Sequence, residues 1–189
     1  MKKRLRDIAD FRTGYLFRGK VKDDPAGNVR VVQIKDVDAA RKIDVTGLDR
    51  VHIDKPTPYQ VEAGDVLFLG RGHRLYATVL PKVDPGTIAT GYFFILRPKT
   101  QLVSPEFLAW SLNDSVFQEA LRPYHRGSHV PMVSRSDVEE IRINLPPLDV
   151  QQQILTLNQL AQQERQLTTE IVERRSLLVQ AVSQQLMRD

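Results

Sequence analysis

Three groups of side chains in this sequence have types and spacings suited to chemistry. The first is Arg71-Gly72-His73-Arg74 with Tyr76, directly after the apolar run ending at Gly70. An arginine can hold guanine through two hydrogen bonds, and flanking glycines let the backbone come close to a nucleic acid. The second is the loop from Arg122 to Arg135, which carries His125, Arg126, Ser128 and His129 and contains no acid. The third, Arg12, Tyr15, Arg18 and Lys20, mixes cations with an aromatic around two glycines. It suits phosphates, contacts that position a protein without reading sequence. Each group also has a plainer reading as a solvated turn or charged face. Thr90 and Tyr92, beside Gly91 in an apolar run, read as core.

Catalysis finds less footing. His125 and His129 have the spacing of metal ligands on a helix, but Gly127 lies between them and no cysteine or third histidine is near. Asn144-Leu145-Pro146-Pro147 departs from the Asn-Pro-Pro-aromatic motif of adenine methylation by an inserted leucine, and Leu148 stands where the aromatic belongs. Gly70-Arg71-Gly72 is too short for a cofactor loop without a helix behind it. No acid stands two residues before a lysine, as metal nucleases require. The expectation is a chain that binds rather than catalyses, with no metal or cofactor of its own.

The totals agree with that. The 189 residues suit one ordinary domain plus an appendage, and 41% hydrophobic residues suffice for a core. Without cysteine there are no disulfides and no thiolate chemistry. No apolar run is long enough for a membrane span and the N-terminus lacks a signal-peptide core, so a cytoplasmic location is expected. The net charge of +4 is unevenly placed: residues 148–189 carry four basic and five acidic side chains, the remainder 23 basic and 18 acidic. The basic part suits a polyanion, the neutral, Gln-rich part assembly.

The elements that must hold these groups are strands for the most part. Leu5 to Phe11 is a short apolar turn followed by Thr13-Gly14, and Asp23 to Asn28 reads as a hairpin loop. Val29–Ile34, Asp49–Ile53, Val66–Leu69 and Ala77–Leu80 read as strands, Thr87–Leu96 as one central strand, and Ile141–Leu145 as the last. Ser104-Pro105 opens a helix with apolar face Phe107, Leu108, Leu112, Val116 and Ala120, broken near Asn113-Asp114. Ser136 opens a short turn. The class is α+β: a strand-rich domain over residues 1–147, then one long coiled-coil helix over 148–189.

That helix has Asp149 as its expected N-cap and no Gly or Pro after Pro147. At about 1.5 Å per residue it spans roughly 55–60 Å. Leu157, Ile171 and Leu178 fall at one heptad position; Leu160, Leu167 and Ala181 fall at the other, with Glu164 and Arg174 interrupting. Such a row argues for helix-on-helix packing whose register the polar positions specify. An amphipathic helix folded back on its own domain is the simpler alternative, but no second long helix exists in the chain to pair with it.

In the order of its short motifs the chain resembles one target-recognition domain with its following conserved helix, from the specificity (S) subunits of type I restriction–modification systems. The matching pieces are Leu5-Arg6-Asp7-Ile8-Ala9 with Thr13-Gly14, Val32-Gln33-Ile34-Lys35-Asp36-Val37, and Gly64-Asp65-Val66-Leu67-Phe68. Toward the C-terminus they are Ser104-Pro105-Glu106-Phe107-Leu108, Arg126-Gly127-Ser128, Ile141-Arg142-Ile143, and Asn144 to Leu148 with Gln151 to Ile154.

The resemblance implies a non-catalytic DNA-reading subunit. In that family two recognition domains sit at opposite ends of two antiparallel helices, which space the halves of a split target and bind methyltransferase subunits. The expected partners are double-stranded DNA and a methyltransferase (modification) subunit carrying S-adenosylmethionine, with a restriction subunit as an optional addition and no membrane. This chain has one domain and one helix, about half the usual subunit. Two copies would rebuild the whole by two-fold symmetry and read a bipartite, palindromic target. The competing reading is a coiled-coil adaptor or regulatory protein that does not read DNA.

Overall fold

The computed structural model describes residues 1–127 and 130–188. It divides into two compact units, Met1–Gln151 and the remainder from Gln152. No helix among the described residues is long and apolar enough to cross a membrane.

The first unit is built on an antiparallel sheet ordered β2 (Ala9–Thr13), β8 (Phe93–Pro98), β5 (Val66–Leu69), β6 (Ala77–Val79). β5 is buried at all four positions. An unbroken apolar run is what a strand covered on both faces requires. Leu67, Leu69, Phe93 and Ile95 point to one side, into a cluster with Val32, Ile43, Leu48 and Leu80. Phe68 and Phe94 stack on the other side, where Phe117 meets Phe68 edge-on at 6.0 Å. That side is covered by α2 (Pro105–Asn113) and α3 (Ser115–Leu121).

A second sheet, β4 (Arg50–Val51), β3 (Val29–Val32), β7 (Ile88–Ala89), pairs β3 antiparallel with β4 and parallel with β7. Its core of Val29, Val31, Val51, Ile53 and Ile88 takes Tyr15, Phe17 and Tyr59 against it. A third pair joins the two ends of the unit: β1 (Lys2–Arg4) runs antiparallel to β9 (Arg142–Asn144), and the short α1 (Leu5–Ile8) and α4 (Arg135–Glu140) follow and precede them.

Several local expectations are corrected. Thr87–Leu96 is two strands in two sheets, joined by a turn in which Phe93 N–H donates to the Thr90 carbonyl at 3.0 Å. Tyr92 in that turn is half exposed rather than core, whereas Thr90 is buried. The apolar face of α2 does not continue to Val116 and Ala120, which are exposed. Asp114 ends α2 and caps α3, its carboxylate accepting from Val116 N–H, and the break shifts the phase so that Phe117 and Leu121 bury instead. Ser104 does cap α2, its hydroxyl accepting from Phe107 N–H. The turn expected to open at Ser136 is instead the helix α4, which Ser134 caps.

The long helix α5 runs Leu148–Leu186 over 39 residues, about 58 Å at 1.5 Å each. It starts before Asp149, which sits in the first turn and is not the cap. Gln151 is fully buried in that turn and ties it to the body. Its side-chain oxygen accepts from Ser104 N–H at 3.0 Å; its nitrogen donates to the Leu102 and Pro146 carbonyls at 2.8 and 2.9 Å. From Leu157 onward the large apolar residues of the helix are open to solvent, Leu157 at 66%, Leu160 at 56% and Leu178 at 64%.

Candidate nucleic-acid interface

Segments far apart in the chain meet around one cleft of about 770 Å³. Residues 15–17 enter after β2, pinned by backbone hydrogen bonds: Tyr15 N–H donates to the Ala89 carbonyl at 2.8 Å, and Gly91 N–H donates to the Tyr15 carbonyl at 2.7 Å. Gly14 is needed here, because a Cβ on it would stand 2.2 Å from the Thr90 carbonyl oxygen. The cleft is lined by Tyr15, Leu16, Phe17 and Lys20 from this segment, Gly70 and Arg71 after β5, and Thr90, Gly91, Tyr92 and Phe94 from the turn into β8. Gln33, Lys35 and Asp49 add polar groups, and Met132 with Val133 closes another side.

The two basic loops are joined by backbone. Gly72 N–H donates to the Pro131 carbonyl and Val133 N–H to the Gly70 carbonyl, while Arg126 and Met132 exchange hydrogen bonds at 2.8 and 2.9 Å. The three sequence-derived groups therefore reach one region, and Tyr15, Lys20 and Arg71 line the same cleft.

Other candidates are placed differently. Arg12 lies against buried Asp65, 3.5 Å from its carboxylate. Tyr76 packs on the central core, and burial pushes its hydroxyl pKa up. Arg126 pairs with Asp137 at 3.0 Å, an acid just outside the acid-free loop. Arg18, His73, Arg74 and His125 are exposed but do not line the cleft. Ser128 and His129 lie outside the described residues.

Electrostatics sort the cations of the cleft. Lys35 Nζ donates to the Asp49 carboxylate at 2.6 Å, and Gln33 donates to the same oxygen at 2.8 Å. The Lys35 contact first, then Gln33, holds Asp49 below the ordinary carboxylate range, and Asp49 in turn raises Lys35. That ion pair is already satisfied. Lys20 and Arg71 make no ion pair among the described residues and leave their charge for a ligand. Two free cations beside aromatic side chains form a surface that attracts phosphates and stacks planar groups.

Residues 1–173 match the family model of the type I restriction modification DNA specificity domain. The chain belongs to that family. Solved structures agree on the fold of this specificity domain. The S subunit of the type I restriction-modification system from M. genitalium aligns at 14% identity with a TM-score of 0.55, over 83% of this chain and 37% of that one. The HsdS subunit from Thermoanaerobacter tengcongensis gives 21% and 0.61, over 86% and 37%. A structure described as the basis of complex assembly and conformational transition of the type I R-M system gives 19% and 0.61, over 88% and 39%. The specificity-domain chain thus spans well under half the length of these relatives. No protein with a curated description matches it.

Sequence reasoning missed several lining residues. Leu16 stands unremarked between two aromatics, Tyr92 reads as core, Gln33 and Lys35 stand out only as part of a short family motif, and Asp49 only as the start of a strand. The signal available was Leu16 itself, a large apolar residue within a basic segment.

Proposed function

We propose that this specificity-domain chain is the DNA-reading subunit of a type I restriction–modification assembly and that it works as a pair of copies. The Met1–Gln151 unit holds one half of a split duplex target in the region of the cleft and the joined loops. Helix α5 pairs antiparallel with α5 of a second copy, so that two recognition units face inverted half-sites across a constant gap. A methyltransferase subunit docks on this pair, binds S-adenosylmethionine and methylates adenine. A restriction subunit is an optional further member. The chain itself supplies recognition and spacing, and no catalytic group.

The observation that carries this reading is the exposed seam of α5. Leu157, Leu160, Leu167, Ile171 and Leu178 are each more than half exposed along one helix. Covering a leucine fully is worth about 1.5–3 kcal/mol, so five in a row on each copy favour pairing even after the cost of association. In a pair centred near residues 166–169, Glu164 of one copy and Arg174 of the other would meet across the axis and set the register. The basic surplus of the body and the unpaired Lys20 and Arg71 support the choice of a polyanion.

Selection from a random duplex library tests the reading, with the chain alone and with a methyltransferase subunit. Enrichment of a split, inverted motif and a steep loss of affinity with added salt are expected. Absence of enrichment in both arms would leave the adaptor reading in its place.

A further inference from the structure

We infer that the cleft receives a single unstacked base of the bound duplex, with Leu16 and Tyr92 as the wedge that opens the base stack. The inference rests on the DNA-reading function above and adds a distortion of the duplex to it.

Leu16 is the least explained apolar residue of the first unit. It is 82% exposed, although its neighbours Tyr15 and Phe17 both pack into the second cluster and touch edge-on at 4.7 Å. The Tyr15 bonds to Ala89 and Gly91 hold the backbone immediately before it. Tyr92, at 51% exposure, stands on the turn beside it; a Cβ on Gly91 would come within 3.3 Å of the Leu16 Cα. A leucine and a tyrosine held together on rigid backbone, beside free cations, match the apolar wedges that separate base steps.

The wedge stands at a cleft of suitable size and chemistry. A volume of about 770 Å³ accommodates a nucleotide. Tyr15 and Phe17 offer ring surface for stacking, and Gln33 with the Lys35–Asp49 pair offers donors and acceptors for a base edge. Thr90 lines the wall, while its hydroxyl is buried behind it with no hydrogen-bond partner among the described residues. Lys20 and Arg71, which line the same cleft, supply charge for the phosphates next to the displaced nucleotide. Unstacking costs about what aromatic stacking returns, so the base should come from a step that opens easily, such as TA or CA.

The test uses the full chain and the duplex selected by it, with 2-aminopurine substituted at one position at a time. Anisotropy reports binding and 2-aminopurine fluorescence reports unstacking. A several-fold brightening at one position in each half-site is expected, lost in Leu16→Ala and in Tyr92→Ala with their thermal unfolding unchanged. Binding without brightening at any position would overturn the inference and leave DNA reading intact; absence of binding would remove both. Free dAMP, dGMP, dCMP and dTMP serve as competitors. Quenching of the duplex signal at micromolar nucleotide would assign the cleft to a soluble nucleotide instead. If Leu16→Ala lost the methyltransferase subunit on co-purification while the brightening stayed, the patch would be a protein contact and the inference would fail.

Discussion

The side-chain oxygen of Gln151, in the first turn of α5, accepts a hydrogen bond from the backbone N–H of Ser104 at 3.0 Å. Ser104 is the residue that caps α2 through its own hydroxyl. With the amide nitrogen held by the Leu102 and Pro146 carbonyls, one buried side chain satisfies three backbone groups at the point where the long helix leaves the body. Gln151→Ala leaves these groups unpaired and should cost about 2–3 kcal/mol in urea denaturation of the full chain. Gln151→Glu keeps the size but turns an oxygen toward two carbonyls, and should be no better than alanine. A glutamate variant as stable as the parent would contradict this account of the helix start.

Asp65 should be as sensitive. It is 2% exposed, takes Arg97 through two bonds at 2.8 and 2.9 Å, and accepts from Glu62 N–H at 2.9 Å. The Asp65 contact, with Glu62 adding to it, keeps Arg97 firmly protonated. The pair joins the turn before β5 to β8. Breaking a buried pair from one side costs roughly 3–5 kcal/mol. Arg97 keeps some access to water, so Asp65→Asn should lose about 2 kcal/mol in the same denaturation assay.

The Asp49–Lys35 pair should tie DNA affinity to pH. Asp49 has its pKa depressed by Lys35 and Gln33, so the stability it contributes is present above the ordinary carboxylate pKa and fades as pH falls through the depressed value. Over that same fall Asp49 loses its charge and Lys35 is released toward the cleft. Asp49→Asn makes the release permanent. The variant should bind duplex more tightly than the parent at pH 7, with a salt dependence steeper by about one counterion. The two proteins should converge in acid. Affinity titrations at several pH values check this, and identical curves at pH 7 would place Lys35 outside the contact.

Leu160→Glu together with Leu167→Glu puts charge into the α5 row. Both positions are more than half exposed within one copy, so the variant should still fold, losing only the stability that pairing adds. Sedimentation velocity should show a monomer in place of the parent dimer. An unchanged species in the variant would reject the seam.

Much of this architecture could be read from the residues, and the exceptions have physical causes. The long helix and the Ser104 cap depend on neighbours a few residues away, and the buried β5 shows in its own unbroken apolar run. Thr87–Leu96 reads as one strand since both halves are apolar; only the pairing of Ile88–Ala89 with β3 and of Phe93 onward with β5 divides it. Asp149 is a good cap by type, but Gln151 anchors the helix from a partner 47 residues away. Arg12 and Arg126 are cations by sequence and ion pairs in space, and the acids that claim them, Asp65 and Asp137, lie outside their own segments. The cleft could not be drawn at all, because the chain folds separated segments around it. Its basic and aromatic contributors were nevertheless visible in Tyr15, Lys20 and Arg71.

The central claim is that two copies of this chain read a divided target on behalf of a methyltransferase. Its most direct test is to co-express the chain with a modification subunit and map methylated adenines across a genome. The account predicts methylation within one inverted, two-part motif with a constant gap, lost when this chain is omitted. An undivided motif, or a pattern unchanged without the chain, would contradict it.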